Sequence, residues 1–332
     1  MALKNTQVLL AARPQGWVTE SDFRIVETDI PSPNDGEILV KNTWLSLDPY
    51  MRGRMSDRKS YAKPVDVGAV MIGGTVGEVI ESKNPAFAKG DLVVGTLGWQ
   101  EYAVTDGRAV RKVDPSLPHS VYLGTVGMPG VTAWLGLIDF GTPKAGETVV
   151  VSAASGAVGS VVGQLAKSRG CRAVGIAGGA EKCAYVTREL GFDACVDYKD
   201  PSFEKALAEA TPNGVDVYFE NVGGPVLDAV LPRLNAFARI PLCGLIADYN
   251  AIEPYAVKHF GALLTNRVRL QGFIVSEHLD RWPTALAELS QLVREGKLVY
   301  RETVAHGLRE APRAFIGLLK GQNLGKQVVK LA

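Results

Sequence analysis

A run of small residues in the middle of the chain, residues 153–160, has the composition required to approach a phosphate group closely. It follows an apolar, β-branched run at 148–151 and precedes an amphipathic stretch. Gly156 and Gly159 let the backbone come close to a pyrophosphate, and a helix that begins there presents unpaired N–H groups and a partial positive charge. Strand, glycine-rich turn and helix in this order are typical of dinucleotide binding. The motif predicts a nicotinamide cofactor and hydride transfer. An ordinary tight turn is the alternative, because Ala153 stands where the usual motif has its first glycine.

The glycine motif is the first turn in a long alternation of predicted strands and helices. Short apolar runs are each followed by a stretch of helical periodicity, which is typical of βα units. Six strands with helical crossovers predict a doubly wound parallel sheet, and a chance tight turn becomes a much weaker explanation. The predicted strands are 147–153, 172–177, 194–198, 215–220, 239–243 and 269–275, and the predicted helices are 158–169, 181–190, 202–210, 225–234 and 255–264.

The residues before and after this alternation have a different pattern. Up to about residue 125 the chain has short β-branched segments punctuated by Gly and Pro, which predict a small barrel. After a predicted helix at 284–294, the tail is predicted to form a strand, a helix and a strand and to return to the first domain. The predicted domains are 1–128, 129–297 and the returning segment 298–332.

The composition excludes several classes of protein. The chain has 332 residues, 46% of them apolar and 21% charged, and a net charge of +1, so there is no strong field for nucleic acid or an anionic membrane. No apolar run has the ~18 residues needed to span a bilayer, and the first residues lack the apolar core of a signal peptide. We therefore expect a cytoplasmic globular enzyme with neither a nucleic-acid nor a membrane partner.

The cysteines and histidines argue against a metal centre and a disulfide framework. All four cysteines follow residue 170, none forms a C-x-x-C pair, and the four histidines are scattered. A zinc site needs clustered Cys and His ligands. The first domain has no cysteine, so we expect no metal there.

The end of the second predicted strand favours NADP(H) over NAD(H). Enzymes that prefer NAD usually place an acidic residue there, about 20 residues after the glycines, to bind the ribose hydroxyls. Residues 176–180 contain only small and apolar side chains, and Lys182 follows as a cation able to pair with a 2′-phosphate. Tyr198, beside Lys199 at the end of the third strand, could touch the same phosphate. A solvated lysine and an ordinary strand-end tyrosine are the alternatives.

Several further segments, in order along nearly the whole chain, resemble one family. These segments are 45–55, 124–133, 218–224, 243–250 and 318–326. Together with the glycine motif they resemble the zinc-independent medium-chain dehydrogenase/reductases, in the branch of prostaglandin reductases, plant alkenal double-bond reductases and bacterial curcumin reductases. The resemblance implies a GroES-like β-barrel domain, a Rossmann domain of α/β class, and NADPH-dependent reduction of α,β-unsaturated ketones or aldehydes.

The resemblance also implies roles for individual residues. Tyr249 and Tyr50 would be catalytic, and Tyr50, Met128 and Tyr61 would contact the substrate. The cofactor would be held by Gly156, Ala157, Val158, Gly159, Lys182, Tyr198, Asn221, Cys243, Gly244, Tyr249, Phe273, Ile274, Val275 and Asn323. Some of these residues have structural alternatives: Asn221 as a turn residue, Cys243 as a small buried apolar side chain, and either tyrosine as a core or surface residue.

The chemistry of enone reduction gives the tyrosines a specific task. Hydride addition to the β-carbon moves negative charge to the carbonyl oxygen, and the resulting enolate needs a preorganised hydrogen-bond donor. A tyrosine hydroxyl, with a reference pKa of ~10, donates a hydrogen bond readily but is a weak acid at neutral pH. Tyr249, the cofactor ribose or Tyr50 would be the donor, with solvent as the source of the α-carbon proton. Quinone reduction and cofactor binding without turnover are the competing functions, and a homodimer with paired sixth strands is expected.

Overall fold

The β-branched segments near the start of the chain form antiparallel strands. In the computed structural model, which describes residues 3–331, they belong to a first unit made of residues 3–123, 302–323 and 327–331. A short helix, α1, lies between the third and fourth strands. The elements are β1 (Lys4–Leu10), β2 (Phe23–Asp29), β3 (Ile38–Ser46), α1 (Met51–Arg54), β4 (Thr75–Ser82), β5 (Leu92–Gly95), β6 (Tyr102–Thr105) and β7 (Val110–Lys112).

Residues 124–301 and 324–326 form the second unit, built around a parallel sheet. Its strands are β8 (Thr148–Ser152), β9 (Arg172–Ala177), β10 (Ala194–Asp197), β11 (Val215–Phe219), β12 (Leu234–Leu242) and β13 (Arg269–Gly272). Its helices are α2 (Met128–Leu135), α3 (Gly159–Ser168), α4 (Ala180–Arg188), α5 (Phe203–Ala210), α6 (Gly224–Val230), α7 (Gly261–Thr265) and α8 (Trp282–Arg294).

The spatial order of these strands is β10-β9-β8-β11-β12-β13. The chain runs outward from β8 in one direction and then restarts at β11 on the other side, so β8 and β11 are neighbours although far apart in sequence. Val149, Val151 and Phe219 on these two strands are fully buried, and each such side chain stabilises the fold by ~1.5–3 kcal/mol. The predicted doubly wound sheet is confirmed, and its switch point lies between β8 and β11.

The tail of the chain contributes β14 (Glu302–His306), α9 (Ala311–Leu319) and β15 (Lys326–Lys330). Strand β15 pairs antiparallel with β3, with Val328 opposite Ser46, and β14 flanks β15. From α9, the Phe315 ring packs edge-on against Trp99 at 5.7 Å, and Trp99 stacks on Phe23 at 5.5 Å. The tail therefore completes the sheet and the aromatic core of the first unit.

Several predicted elements are wrong in extent, and the strand predicted at 239–243 already begins at Leu234. The helix predicted at 255–264 is reduced to α7, because the buried Asp228 carboxylate accepts hydrogen bonds from the Tyr255 hydroxyl at 3.0 Å and from the backbone N–H groups of Lys258 and His259 at 3.0 and 2.8 Å. These bonds hold the segment in a non-helical conformation. The strand predicted to reach residue 275 ends at Gly272.

No helix within residues 3–331 combines the length and the apolar character needed to cross a membrane.

Candidate functional site

The carboxyl ends of the six parallel strands meet at one edge of the second unit. Ligands of doubly wound sheets bind at this edge, at the switch point of the strand order. Here the switch point is formed by Ser152, the last residue of β8, and Phe219, the last residue of β11. The glycine turn follows the first of these strands and Asn221 follows the second, so the fold places the predicted cofactor motif where a dinucleotide would lie.

The glycine turn is a tight backbone structure with donors directed outward. Ala153 has a positive φ of 52°, and its carbonyl accepts the Gly156 N–H at 2.9 Å. A Cβ at Gly159 would lie 2.4 Å from that carbonyl oxygen, so only glycine fits. The N–H groups of Ala157 and Val158 donate to no backbone carbonyl in the described part of the chain. Free amides beside the start of α3 fit a pyrophosphate.

A segment from the tail fixes the outer side of this turn. The Gly325 N–H donates to the Ser155 carbonyl at 3.0 Å, and Gly325 forms a bridge with Gly156. Gly325 has a φ of +72°, and a Cβ there would lie 2.0 Å from the Arg301 carbonyl oxygen. Asn323, predicted to contact the cofactor, lies two residues earlier in the first unit. Its role stays a prediction.

The end of β10 and the start of α4 form a basic corner. The Tyr198 ring lies over Gly178, where an added Cβ would be 2.8 Å from the ring, and the tyrosine is 44% exposed. Burial, and then the charge of Lys199, lower the pKa of the nearby Lys182. Two lysines that repel each other beside a helix N-terminus favour an anion in this corner. The arrangement fits the predicted 2′-phosphate contact of Lys182 and Tyr198.

Asn221 is held by hydrogen bonds to the end of β8. Its backbone N–H donates to the Ser152 hydroxyl and its side-chain amide donates to the Ser152 carbonyl, both at 2.8 Å. The Glu220 carboxylate accepts the Ser152 hydroxyl at 2.8 Å and the Val222 N–H at 2.5 Å. This network joins the ends of the two switch-point strands and supports the structural role of Asn221 as a turn residue, while its cofactor contact stays a prediction.

Glu220 makes the stability of this region depend on pH. The side chain is fully buried, and burial raises its pKa although the hydrogen bonds oppose the shift. The folded protein therefore keeps this proton at pH values where the unfolded chain has lost it, and stability falls as pH rises from the ordinary carboxyl pKa to the raised one. Glu220→Gln mimics the protonated form, so we expect its Tm relative to that of the parent protein to rise between about pH 5 and about pH 8.

Thermal unfolding at several pH values measures this effect. The matched control is Glu209→Gln, on an exposed carboxylate that pairs with Lys205 across one turn of α5. Its Tm difference from the parent protein should change little over the same range. A Glu220→Gln difference that stays flat or falls with pH would contradict the assignment.

Tyr249 folds back toward the end of β12. Its hydroxyl oxygen accepts the Leu245 N–H at 3.4 Å, and a Cβ at Gly244 would lie 3.1 Å from that oxygen. Tyr249 ends a short 3₁₀ turn formed by Ile246–Asp248. The turn therefore brings the predicted catalytic hydroxyl to Gly244, at the strand end where the cofactor is expected.

Three other predicted residues at this edge contribute to packing. Burial, with a contribution from Glu220, raises the pKa of the Cys243 thiol to about 12, which fits a small apolar side chain better than a reactive thiol. Phe273 stacks on Phe140 at 5.0 Å, and the Val275 carbonyl accepts the indole N–H of Trp282 at 3.1 Å. The cofactor contacts of these residues and of Ile274 stay predictions.

A separate cluster in the first unit contains both predicted tyrosines of that unit. The Arg54 guanidinium lies over the ring of Tyr61 at 4.5 Å and over the ring of Tyr50 at 5.7 Å. Burial raises the pKa of Tyr50 well above its ordinary value, and the charge of Asp48 adds to the shift. Tyr50 therefore stays protonated and able to donate a hydrogen bond.

Two basic residues of these clusters were not predicted from the sequence. Arg54 is only 7% exposed. It follows Tyr50 by four residues at the short helix α1, and this helical spacing is the signal from which their contact could have been predicted. The sequence places Lys199 next to Tyr198. That Lys199 also lies close to Lys182 depends on how α4 packs against β10, which the sequence does not show. Met128, a predicted substrate residue, begins α2 in the second unit, and its carbonyl accepts the Thr132 hydroxyl at 2.7 Å.

Two family models of known proteins match most of the chain. Residues 6–113 match the family model described as the N-terminal domain of oxidoreductase, and residues 157–291 match the model described as zinc-binding dehydrogenase. Although the second description names zinc, residues 3–331 contain no group of three or more His, Cys, Asp or Glu side chains able to hold a metal ion.

Individual relatives and a solved structure match this chain over nearly its full length. The chain is 50% identical to the NADPH-dependent curcumin reductase of Escherichia coli strain K12, over 99% of this chain and 97% of the relative. It is 43% identical to the NADP(+)-dependent 2-alkenal reductase of Nicotiana tabacum, over 99% of this chain and 98% of the relative. The crystal structure of CurA from Vibrio vulnificus in complex with NADPH is 49% identical and matches with a TM-score of 0.95, over 98% of this chain and 99% of that one.

Proposed function

We propose that this chain reduces the C=C bond of α,β-unsaturated ketones and aldehydes. The chain belongs to the zinc-independent medium-chain dehydrogenase/reductase family and is an NADP-dependent oxidoreductase. The observation that carries the proposal is the 50% identity, over nearly the full length of both chains, to an enzyme named as a curcumin reductase. A similarity of 43% to an enzyme named as an alkenal reductase supports the same substrate class.

The residues of the second unit fit the cofactor that this reaction needs. The glycine turn would hold the pyrophosphate through Gly156, Ala157, Val158 and Gly159, and the basic corner would hold the 2′-phosphate through Lys182 and Tyr198. Further contacts are proposed for Asn221, Cys243, Gly244, Tyr249, Phe273, Ile274, Val275 and Asn323. When bound, NADPH supplies a hydride to the β-carbon of the substrate, and negative charge then develops on the substrate carbonyl oxygen.

The role of the protein in this step is to stabilise the developing enolate. We assign the donor role to the Tyr249 hydroxyl, since the hydrogen bond from Leu245 N–H fixes the position of its oxygen at the end of β12. A donor held in place before the reaction stabilises an oxyanion without reorganisation. Tyr50, whose raised pKa keeps its proton in place, is the second candidate donor. The α-carbon then takes its proton from solvent.

The substrate would be contacted by Tyr50, Tyr61 and Met128. In the first unit, Arg54 holds the two tyrosine rings, so the aromatic faces are positioned by a residue that the sequence alone did not single out. This cluster would give an aromatic surface suited to conjugated ketones and aldehydes.

A homodimer is part of the proposal. Strand β13 is at one end of the sheet order, and all four of its residues, Arg269–Gly272, are exposed. An exposed edge strand is a template for pairing, and a second copy of this chain would cover it across a two-fold axis.

The proposed function is tested by following NADPH oxidation with two panels of substrates. The first contains 3-nonen-2-one, 4-hydroxynonenal and curcumin, and the second contains quinones. We expect faster turnover of the enones to saturated products, a preference for NADPH over NADH, and no loss of activity with EDTA. Turnover confined to quinones would show that the protein is a quinone reductase. NADPH binding without turnover of either panel would contradict the proposed reduction of enones.

A further inference from the structure

Two cysteines that the proposed reaction does not use meet beside the basic corner. The Sγ atoms of Cys183, in α4, and Cys195, in β10, lie 2.7 Å apart, and both side chains are free thiols. The residues are 12 positions apart in sequence and do not form a C-x-x-C motif. Their contact is produced only by the packing of α4 against the edge of the parallel sheet.

The packing around the pair keeps the two sulfur atoms together. Val186, one turn after Cys183 in α4, is fully buried, and the loop between the cysteines is anchored by the buried Phe192. In the sheet, Cys195 pairs with Gly175 of β9. Both cysteines are only partly buried, and β10 is at the end of the strand order, so the pair lies near the edge of the sheet.

The surroundings give the two thiols different roles. Cys183 is the fourth residue of α4, and the Cys195 S–H donates to its sulfur, which lowers the pKa of Cys183. The same contact, followed by burial, raises the pKa of Cys195. The position of Cys183 near the N-terminus of α4, together with this lowered pKa, favours Cys183 as the attacking thiolate and Cys195 as the resolving thiol.

We propose that Cys183 and Cys195 form a reversible disulfide that couples peroxide exposure to NADPH binding at the start of α4. The coupling to NADPH rests on the proposed function, because it uses the assignment of Lys182 and Tyr198 to the 2′-phosphate. The disulfide itself rests only on the two sulfur positions.

The oxidation balances with a hydroperoxide as the two-electron oxidant. The Cys183 thiolate attacks one peroxide oxygen, the O–O bond breaks, and the leaving hydroxide takes a proton to become water. The Cys195 sulfur then attacks the sulfenic sulfur of Cys183, the S–O bond breaks, and the second oxygen leaves as water with the Cys195 proton. Two thiols are oxidised to one disulfide, and hydrogen peroxide is reduced to two waters. A dithiol reductant reverses the change by exchange.

Disulfide formation would alter the basic corner because the same elements build it. A disulfide bond has an S–S length of ~2.05 Å, so the two sulfur atoms, 2.7 Å apart as thiols, must move closer and then tie α4 to β10 covalently. Lys182 directly precedes Cys183. The start of α4 and the end of β10 are also joined by the Asp197 carboxylate, which accepts the N–H groups of Gly179 at 2.8 Å and Lys199 at 2.9 Å.

The experiment uses the full-length protein and needs no substrate. The protein is treated with hydrogen peroxide, desalted, digested with trypsin and analysed by mass spectrometry. Cleavage after Lys182, Arg188 and Lys199 places the cysteines in separate peptides, 183–188 and 189–199, so only a disulfide can join them. In parallel, the Kd values of NADPH and NADH are measured before oxidation, after oxidation, and after reduction with dithiothreitol.

We expect the joined peptide in the parent protein and in the control Cys171→Ala, and its absence in Cys183→Ser and Cys195→Ser. The Kd of NADPH should rise roughly fivefold on oxidation, the effect of weakening one charge-assisted hydrogen bond, and return on reduction. The Kd of NADH, which lacks the 2′-phosphate, should stay unchanged. Melting curves of the reduced serine variants establish whether they fold. If Cys183→Ser does not fold, Cys183→Ala is used in its place.

Two results would overturn the proposal. One is a parent protein that gives no joined peptide after peroxide treatment. The other is a joined peptide with an unchanged Kd for NADPH, which would show that the disulfide forms but has no effect on cofactor binding. Failure of the proposed function is a different result, namely no enone turnover by the reduced protein, and is recognised without any oxidation.

Discussion

We expect replacement of Tyr249 with phenylalanine to lower kcat for enone reduction by about 100-fold, the loss typical of removing one oxyanion donor. The hydroxyl is held at Gly244 by the Leu245 N–H, so its removal takes away a donor while the ring keeps its place. Because the donor acts on charge that develops after substrate has bound, KM for the enone and Kd for NADPH should change little. Steady-state kinetics and NADPH titration of the variant measure both effects.

The matched control for this variant is Tyr185→Phe. The Tyr185 hydroxyl is buried and has no hydrogen-bond partner within residues 3–331, so its removal should leave kcat unchanged. Full turnover by Tyr249→Phe would transfer the donor role to Tyr50. In that case Tyr50→Phe should show the large loss of kcat instead.

The second large effect is expected for Lys182→Ala. A hydrogen bond to a charged group contributes ~1.5–3 kcal/mol, so we expect the Kd of NADPH to rise about 10- to 100-fold. The half-buried Lys182, whose pKa is lowered by burial and by Lys199, would pair with the 2′-phosphate of NADPH, a group that NADH lacks. NADH binding should therefore change little, and the ratio of kcat/KM for NADPH to that for NADH falls by a similar factor.

The control for Lys182→Ala is Lys205→Ala, which removes an exposed lysine from α5. It should leave the Kd values of both cofactors unchanged, since a surface ion pair contributes little. An equal loss of NADPH and NADH binding in Lys182→Ala would show that the lysine supports the shape of the corner and does not select the phosphate.

Much of the fold could be predicted because local patterns and global topology agree. The alternation of β-branched runs and helical stretches has one stable outcome for a chain of this length, a parallel sheet with crossover helices. The extent of elements was less predictable. Residues 255–260 have an acceptable helical pattern, but the buried carboxylate of Asp228, some 30 residues earlier, offers their N–H groups better acceptors.

Ala153 illustrates how local sequence can mislead about backbone conformation. An alanine at the first motif position suggested an ordinary turn, because a positive φ is costly for any residue with a Cβ. The chain nevertheless adopts φ of 52° there, since the Ala153 carbonyl must accept the Gly156 N–H and lie against Gly159. Neighbouring contacts outweigh the local preference.

The sequence by itself determined the class of fold, the family and the NADP(H) cofactor, because these depend on local motifs and on the order of those motifs along the chain. Only the tertiary structure decided that Arg54 holds Tyr50 and Tyr61, that Glu220 is buried at the switch point, and that Cys183 meets Cys195. The contact of the two cysteines depends on the packing of α4 against β10, and the burial of Glu220 depends on the sheet that surrounds it. Such contacts cannot be predicted from the spacing of residues along the chain.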